Sequence, residues 1–269
     1  MDAAGLLQKN MDVKSQLANS AFRRPLVLES SEGSNTVEGS VYAVLDSPFA
    51  EVSRTFKSPE QWCEVMILHI NTKYCHADGK TPPTRFKISI GKKSPQQLSD
   101  AFALDFGYEL AAATTNYLSV ALSAEKGPLG TSNYKIDLQA VPLPENRTFM
   151  RLRYTYGYGV ASRVAMQGYL ATIGAGKVGF TQIGDGPKGA FISGMRGAAE
   201  RNIMRYYLAI EAYQASLSKP PAERLDSRLK HWFDATEEYP RQLREVDKAS
   251  YMAMKKNEHQ RQQSAQIQN

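Results

Sequence analysis

The chain has 269 residues, 42% of them hydrophobic, enough material for one large domain or a domain with an appendage. No apolar run approaches the about 18–20 residues that a bilayer-spanning helix needs. The 33 basic residues against 27 acidic ones give a net charge of +6, but bases are interleaved with acids, as at Glu245, Asp247 and Lys248. No helix-turn-helix, zinc-finger or RNP-type aromatic signature accompanies them, so nucleic acid is not an expected partner.

Residues 4–22 carry weak helical periodicity in Leu6, Leu7, Met11 and Leu17, and LVLES after Arg23-Arg24-Pro25 reads as a short strand. Residues 37–46 (VEGSVYAVLD) alternate, with Val37, Gly39, Val41, Ala43 and Leu45 on one face and Tyr42 and Val44 on the other. Ser47-Pro48 then puts proline at the start of a helix, FAEVSRTFK, whose Phe49, Val52 and Phe56 step by three and four. Ser58-Pro59-Glu60 repeats the cap-and-proline signal and opens a second short helix through Trp62 and Val65. The following segment holds both cysteines, Cys63 and Cys75. If it is one straight strand the thiols lie about 40 Å apart and cannot bond; if it folds back near Asn71 they can. No CxxC or clustered histidine accompanies them, so no metal is expected.

From residue 85 the hydrophobic period changes to two. FKISIG and the stretches 101–109, 114–124 and 132–142 read as strands, with EKGPLGTSN as a hairpin loop. In the next strand Met150, Leu152, Tyr154, Tyr156, Tyr158 and Val160 share one parity, and Arg151, Arg153, Thr155, Gly157 and Gly159 the other. Strands near 163–172 and 178–184 are expected to continue the meander. A long helix over about 193–217 presents Ala199, Ile203, Tyr206, Ile210, Tyr213 and Leu217 as a stripe, widened by Met204, Tyr207 and Leu208. Lys219-Pro220-Pro221 ends it. A helical pattern returns with Leu225, Leu229, Trp232 and Phe233, then Leu243, Val246 and Ala253, before a Gln-rich tail that is expected to fray.

The four histidines, His69, His76, His231 and His259, form no HExxH pair, and neither GxSxG nor a phosphate-loop motif is present. Gly174 and Gly176 in GAGK read as turn residues, and His69, in an apolar context, as a core histidine. Asp105 and Glu109 read as solvent-facing strand acids. Arg151 and Arg153 oppose the tyrosines in parity and belong to the outer face.

The order of strand, two short helices, antiparallel strands and one long helix resembles the START-like helix-grip superfamily, also called SRPBCC, over roughly residues 37–217. The resemblance rests on VYAVLDSPFAEVSRTFKSPEQWCEV, where Pro48, Val52, Phe56, Pro59 and Trp62 match an xxVxxxFxxPxxW pattern, and on the long amphipathic helix placed last. The helical extension beyond Pro220 and the long WCEVMILHINTKYC segment depart from it, and the combination looks like a bacterial branch. The resemblance implies an α+β fold: a curved antiparallel sheet wrapped around a long C-terminal helix, with additional helices at both ends. The chain then divides into a lead-in (1–36), the helix-grip domain (37–217), a helical extension (218–256) and a disordered tail (257–269).

Such a fold encloses a cavity, and its expected lining is Leu152, Tyr154, Tyr156, Tyr158 and Met166 from the strands and Ile203, Tyr206, Tyr207 and Ile210 from the helix. Apolar rings tipped with hydroxyls suit a lipid, sterol or aromatic compound. The expected function is therefore a carrier of a hydrophobic or amphipathic small molecule, touching a membrane surface transiently, with no cofactor and no catalytic residue. The alternatives are a polyketide-cyclase- or hydrolase-type enzyme on the same fold, or an interaction protein that uses its C-terminal helices. Few inward charges favour the carrier. Ligand entry is expected to hinge on GFTQIGDGPKGAFISG, through Gly184, Gly186, Gly189 and Gly194. The opening segment has no basic n-region followed by an apolar h-region and reads as a trimmed start. With a disulfide left open, the reading leans towards the periplasm over the cytoplasm.

Overall fold

The computed structural model describes residues 1–79, 84–172, 176–184 and 190–267. In chain order its helices and strands are α1 (Ala3–Asp12), α2 (Lys14–Ala18), β1 (Leu26–Glu32), β2 (Thr36–Leu45), α3 (Phe49–Lys57), α4 (Pro59–Met66), β3 (Thr72–Asp78), β4 (Thr84–Ile90), β5 (Phe102–Ala113), β6 (Leu118–Lys126), β7 (Thr131–Leu143), β8 (Arg147–Tyr158), α5 (Val160–Thr172), β9 (Gln182–Ile183), β10 (Ala190–Phe191), α6 (Gly194–Ser216), α7 (Arg224–Glu237), α8 (Pro240–Leu243) and α9 (Lys248–Ile267). Eight of the described strands form one sheet in the order β1-β2-β8-β7-β6-β5-β4-β3, and β9 and β10 pair separately. This is the helix-grip order: α3 and α4 after an early strand, an antiparallel sheet, then the long helix α6. Among the described residues no helix is long and apolar enough to cross a membrane.

Two expectations fail after Tyr158. Residues 163–172 are helix and not strand, so Met166 sits on α5 and Val160 leaves the inward parity to become 82% exposed. The cause is a local cap that parity counting ignores: Ser162 Oγ accepts from Gly159 N at 2.7 Å and ends the ladder there. The strand expected at 178–184 is reduced to the two residues of β9. Gly174, Gly186 and Gly189 lie outside the described residues. At the far end, α9 continues to Ile267, past the point where composition led to an expectation of fraying. Its polar side chains find partners, as described below.

The chain divides into two compact units, with boundaries inside α3, β5 and α6. The first comprises residues 1–54 and 110–204. Here β2, β8, β7 and β6 pair antiparallel with Gly39 opposite Tyr154, Val41 opposite Leu152, Ile136 opposite Tyr154 and Val120 opposite Leu138. One face is thus Val37, Gly39, Val41, Ala43, Leu138, Leu152 and the tyrosines. The first half of α6 lies on it: a β-carbon added to Gly39 would stand 3.1 Å from Ile203 Cγ2. The missing side chain is what lets the helix approach. The opposite face carries Tyr42, Val141 and Phe149, which pack with Leu6, Val13, Leu17 and Val27. The N-terminal helices therefore cover it, and Asp2 caps α1 by accepting from Gly5 N at 2.8 Å.

The second unit comprises residues 55–109 and 205–269. Ser58 caps α4, accepting from Gln61 N at 3.3 Å, with Pro59 in the first turn. Trp62 is buried, its ring meets Phe56 edge-on at 4.8 Å, and its Nε1 donates to Phe56 O at 2.9 Å. The chain folds back after α4, and Cys63 and Cys75 form a disulfide that ties α4 to β3. The edge of β3 is covered by α9 through side chains: Lys255 Nζ donates to Thr72 O at 2.6 Å, Arg261 to Lys73 O at 2.8 Å, and Gln262 Oε1 accepts from Cys75 N at 3.2 Å. A bare sheet edge would invite pairing with another chain, and these contacts close it. Trp232 and Phe233 of α7 are buried against Tyr251 of α9, at 4.9 and 5.6 Å between ring centroids.

Candidate functional site

Period-two alternation in β8 puts Tyr154, Tyr156 and Tyr158 on the α6-facing side of the first unit, because Tyr154 stands opposite Gly39 in the register. All three are buried, at 6%, 3% and 3% exposure. Tyr134 of β7 joins them. Its ring stacks on Tyr156 at 5.3 Å and lies 6.0 Å from Tyr154, and Tyr154 and Tyr156 are 5.6 Å apart. Offset and tilted aromatic packing of this kind fixes the rings as one surface.

The hydroxyls differ in their commitments. Tyr158 donates to Glu32 Oε1 at 3.0 Å and Gly33 O at 3.2 Å, and the Arg163 guanidinium lies over its ring at 5.1 Å. Tyr134 Oη and Thr131 Oγ1 are 2.7 Å apart. The Tyr156 hydroxyl makes no hydrogen bond among the described residues, although the side chain is buried. Burial pushes the Tyr156 phenol up, with Tyr134, Glu32 and Tyr158 adding to it and the Arg201 guanidinium on α6 opposing. Burial raises Tyr134 as well. Both therefore stay protonated at neutral pH and can donate a hydrogen bond.

Beside this face sits a buried carboxylate. Glu200 is fully buried and accepts from Phe180 N at 2.5 Å, Thr181 N at 2.9 Å, Thr181 Oγ1 at 2.6 Å and the Ser30 hydroxyl. A charge in the interior requires such partners. Its effect is to clasp residues 180–181 to α6. Gly179 and Gly197 cross here so closely that a β-carbon on Gly179 would stand 2.9 Å from Gly197 Cα. The described part of the expected hinge is thus held down at Gly179–Thr181, while Gly184 and Gly194 adopt positive φ of 88° and 64°. By contrast, an open groove lined by residues including Ser15, Asn19, Phe22, Leu26 and Leu28 contains no ionisable side chain.

No protein-family model matches the chain, and no curated protein matches it. Among solved structures, the chain is similar to human StAR-related lipid transfer protein 5 at 9% identity, over 81% of this chain and 100% of that one, with a TM-score of 0.40. It is similar to a hypothetical protein from Helicobacter pylori at 14% identity, over 65% and 86%, with a TM-score of 0.41. Norcoclaurine synthase from Thalictrum flavum is similar at 9% identity, over 54% and 91%, with a TM-score of 0.37. At these values the likeness goes no further than the arrangement of elements.

The remaining candidate residues fall as follows. Leu152 is fully buried between Val41 and Leu138, and Ile203 is fully buried on the α6 turn above Gly39. Met166 is half-buried on α5. Tyr206, Tyr207 and Ile210 belong to the second unit, where Tyr206 stacks on His69 at 4.6 Å, and Tyr207 and Ile210 are buried. His69 is a core histidine: its Nδ1 accepts from Asn71 N at 3.2 Å, and burial, followed by the charges of Arg205, Lys255, Lys93 and Lys73, holds it well below the usual imidazole range. Asp105 and Glu109 are exposed, and Arg153 pairs with Asp137 at 2.5 Å.

Sequence reasoning missed Tyr134, Glu200 and the buried ions of the second unit. Tyr134 shares parity with Ile136 and Leu138, and that signal could have found it. Glu200 is an acid inside the apolar pattern GAAERNIM, which is a weaker signal. The second unit holds Lys73 and Lys255 on Glu258, at 3.0 and 2.7 Å, and Glu64 bridges Arg228 at 2.8 Å and His259 at 3.1 Å. Apart from Lys255 with Glu258, three positions apart on α9, these pairs join residues more than 160 positions apart.

Proposed function

We propose that the protein holds a hydrophobic or amphipathic small molecule against the tyrosine face of β7 and β8 beneath the first half of α6. The observation that carries this reading is Tyr156: a buried phenol, held protonated, whose hydroxyl has no partner among the described residues. A bound molecule's oxygen would give that hydroxyl an acceptor and add about 0.5–1.5 kcal/mol to binding. The surrounding Tyr134, Tyr154, Leu152 and Ile203 supply apolar contact. Carrying is favoured over catalysis because the groups on this face are protonated phenols and not bases. Of the carboxylates close by, Glu32 already accepts from Tyr158, and Glu200 is saturated with donors. One named lipid transfer protein and one named synthase share this arrangement of elements, so the plan itself does not choose between them. The Cys63–Cys75 disulfide supports an oxidising compartment.

Native mass spectrometry of the purified protein tests the reading. A bound small molecule is expected to add mass that disappears after organic extraction, and the stripped protein should take up a fluorescent long-chain fatty acid. Protein that purifies empty and takes up no such probe would defeat the proposal.

A further inference from the structure

The turn between α4 and β3 lies among more buried cations than its carboxylates match. Lys73 and Lys255 are both fully buried, and they share one carboxylate, Glu258, at 3.0 and 2.7 Å. Both also bond to the turn itself: Lys73 Nζ donates to Ile70 O at 3.3 Å and Lys255 Nζ to Thr72 O at 2.6 Å. Arg261 adds a third cation, donating to Lys73 O at 2.8 Å. Glu64, linked to α9 through Gln262, is already engaged by Arg228 and His259. Three cations around one carboxylate leave this interior positive, and buried charge persists where an opposite charge meets it.

The same turn buries two donors that meet no acceptor among the described residues. His69 Nδ1 accepts from Asn71 N at 3.2 Å, which places the proton of the neutral imidazole on Nε2. The ring is 3% exposed and stacks on Tyr206, and its Nε2 has no hydrogen-bond partner. Thr72 Oγ1, fully buried three residues on, has none either. The imidazole stays neutral because burial, followed by the charges of Arg205, Lys255, Lys93 and Lys73, holds it well below its usual range. Cations that repel a proton from His69 attract an anion to the same place. A neutral guest could accept from both donors but would leave the excess charge of the lysines as it stands. The enclosure of His69, Thr72 and both lysines restricts the guest to a small ion. We propose that the His69–Thr72 turn, flanked by Lys73 and Lys255, binds a small monovalent anion, a halide or a short carboxylate. The site lies wholly in the second unit and does not depend on the carrier reading above.

Thermal melting of the full chain at constant ionic strength tests it, with sodium gluconate replaced in turn by sodium chloride, formate or phosphate. Chloride or formate is expected to raise the melting temperature saturably, by about 3–5 °C once the site is filled. The ion that saturates at the lower concentration tells a halide site from a carboxylate site. In His69→Leu this dependence should vanish, while His69→Gln, which keeps an N–H donor, should retain part of it. Because the leucine variant removes a core imidazole and can unfold, the unaltered protein supplies a second readout: the nuclear magnetic resonance of His69 Nε2–H should move over the same concentration range. Equal melting in all four salts, a resonance that stays in place, or a dependence that survives in His69→Leu would overturn the proposal and assign the two donors to buried water. Stabilisation by phosphate alone would overturn it as well.

Discussion

The tyrosine face of the first unit presents phenol hydroxyls, one of them uncommitted, whereas the second unit buries a cluster of paired charges, Lys73 and Lys255 on Glu258. Tyr134, Tyr154 and Tyr156 stack on one another and lose little when a hydroxyl changes partner. Lys73, Lys255 and Glu258 cannot do the same. Burial pushes Lys255 down to about 8 even with Glu258 beside it, so removal of that carboxylate strands the charge. The difference teaches where each unit tolerates change. A surface of neutral hydroxyls can exchange one hydrogen bond for another at small cost, which is what a binding face requires. Paired buried ions fix the helices that carry them.

The largest expected effect breaks the ionic side. Glu258→Ala leaves Lys73 and Lys255 without their shared carboxylate and should cost about 3–5 kcal/mol in denaturant unfolding. A loss under about 1 kcal/mol would mean that water replaces the pair. Next, reduction of Cys63–Cys75 releases a loop closed across 12 positions in sequence and should cost about 3 kcal/mol. An unchanged melting temperature in reductant would show that the α4–β3 contact needs no covalent tie.

Acid should weaken the second unit through His69. Its folded-state affinity for a proton lies well below that of the unfolded chain, so the unfolded state binds the proton first. Its contribution is fully present above about pH 6.5 and is lost as pH falls towards the folded value, at up to about 1.4 kcal/mol per pH unit. His69→Gln should flatten the stability profile between pH 7 and 5; an equally steep profile in the variant would assign the dependence to other groups. Glu64 adds a loss at lower pH. Burial pushes its carboxyl up, but the hydrogen bond and charge of His259 and the charge of Arg228 more than offset this and leave it below the usual carboxylate range.

The smallest effects sharpen the comparison within one strand. Tyr158→Phe loses the donation to Glu32 and Gly33 and should cost about 1–2 kcal/mol while leaving probe uptake intact. Tyr156→Phe should change stability by under about 0.5 kcal/mol but weaken an oxygen-bearing ligand about fivefold to tenfold. Binding titrations of the two variants side by side decide this. Equal affinities would show that the Tyr156 hydroxyl does not meet the ligand.

Much of the architecture is written locally. The alternation of VEGSVYAVLD, the Ser-Pro starts of α3 and α4 and the three-four stripe of α6 each follow from geometry repeating within a few residues. The inward parity of Tyr154, Tyr156 and Tyr158 is local in the same sense, because adjacent side chains on a strand must point to opposite faces. Tertiary structure decided the rest. It left the valines of residues 160–172 outward, while the helix itself starts at a local cap of Gly159 and Ser162. It brought Tyr134 beside Tyr156 and Glu200 beneath Thr181, and it chose between an open and a closed Cys63–Cys75 pair by folding the chain back into β3. It also turned a Gln-rich tail into α9, whose Lys255, Arg261 and Gln262 satisfy the edge of β3. Periodicity reports which face of an element is apolar, but the partner of a buried polar atom lies far away along the chain, and only the packed fold brings the two together.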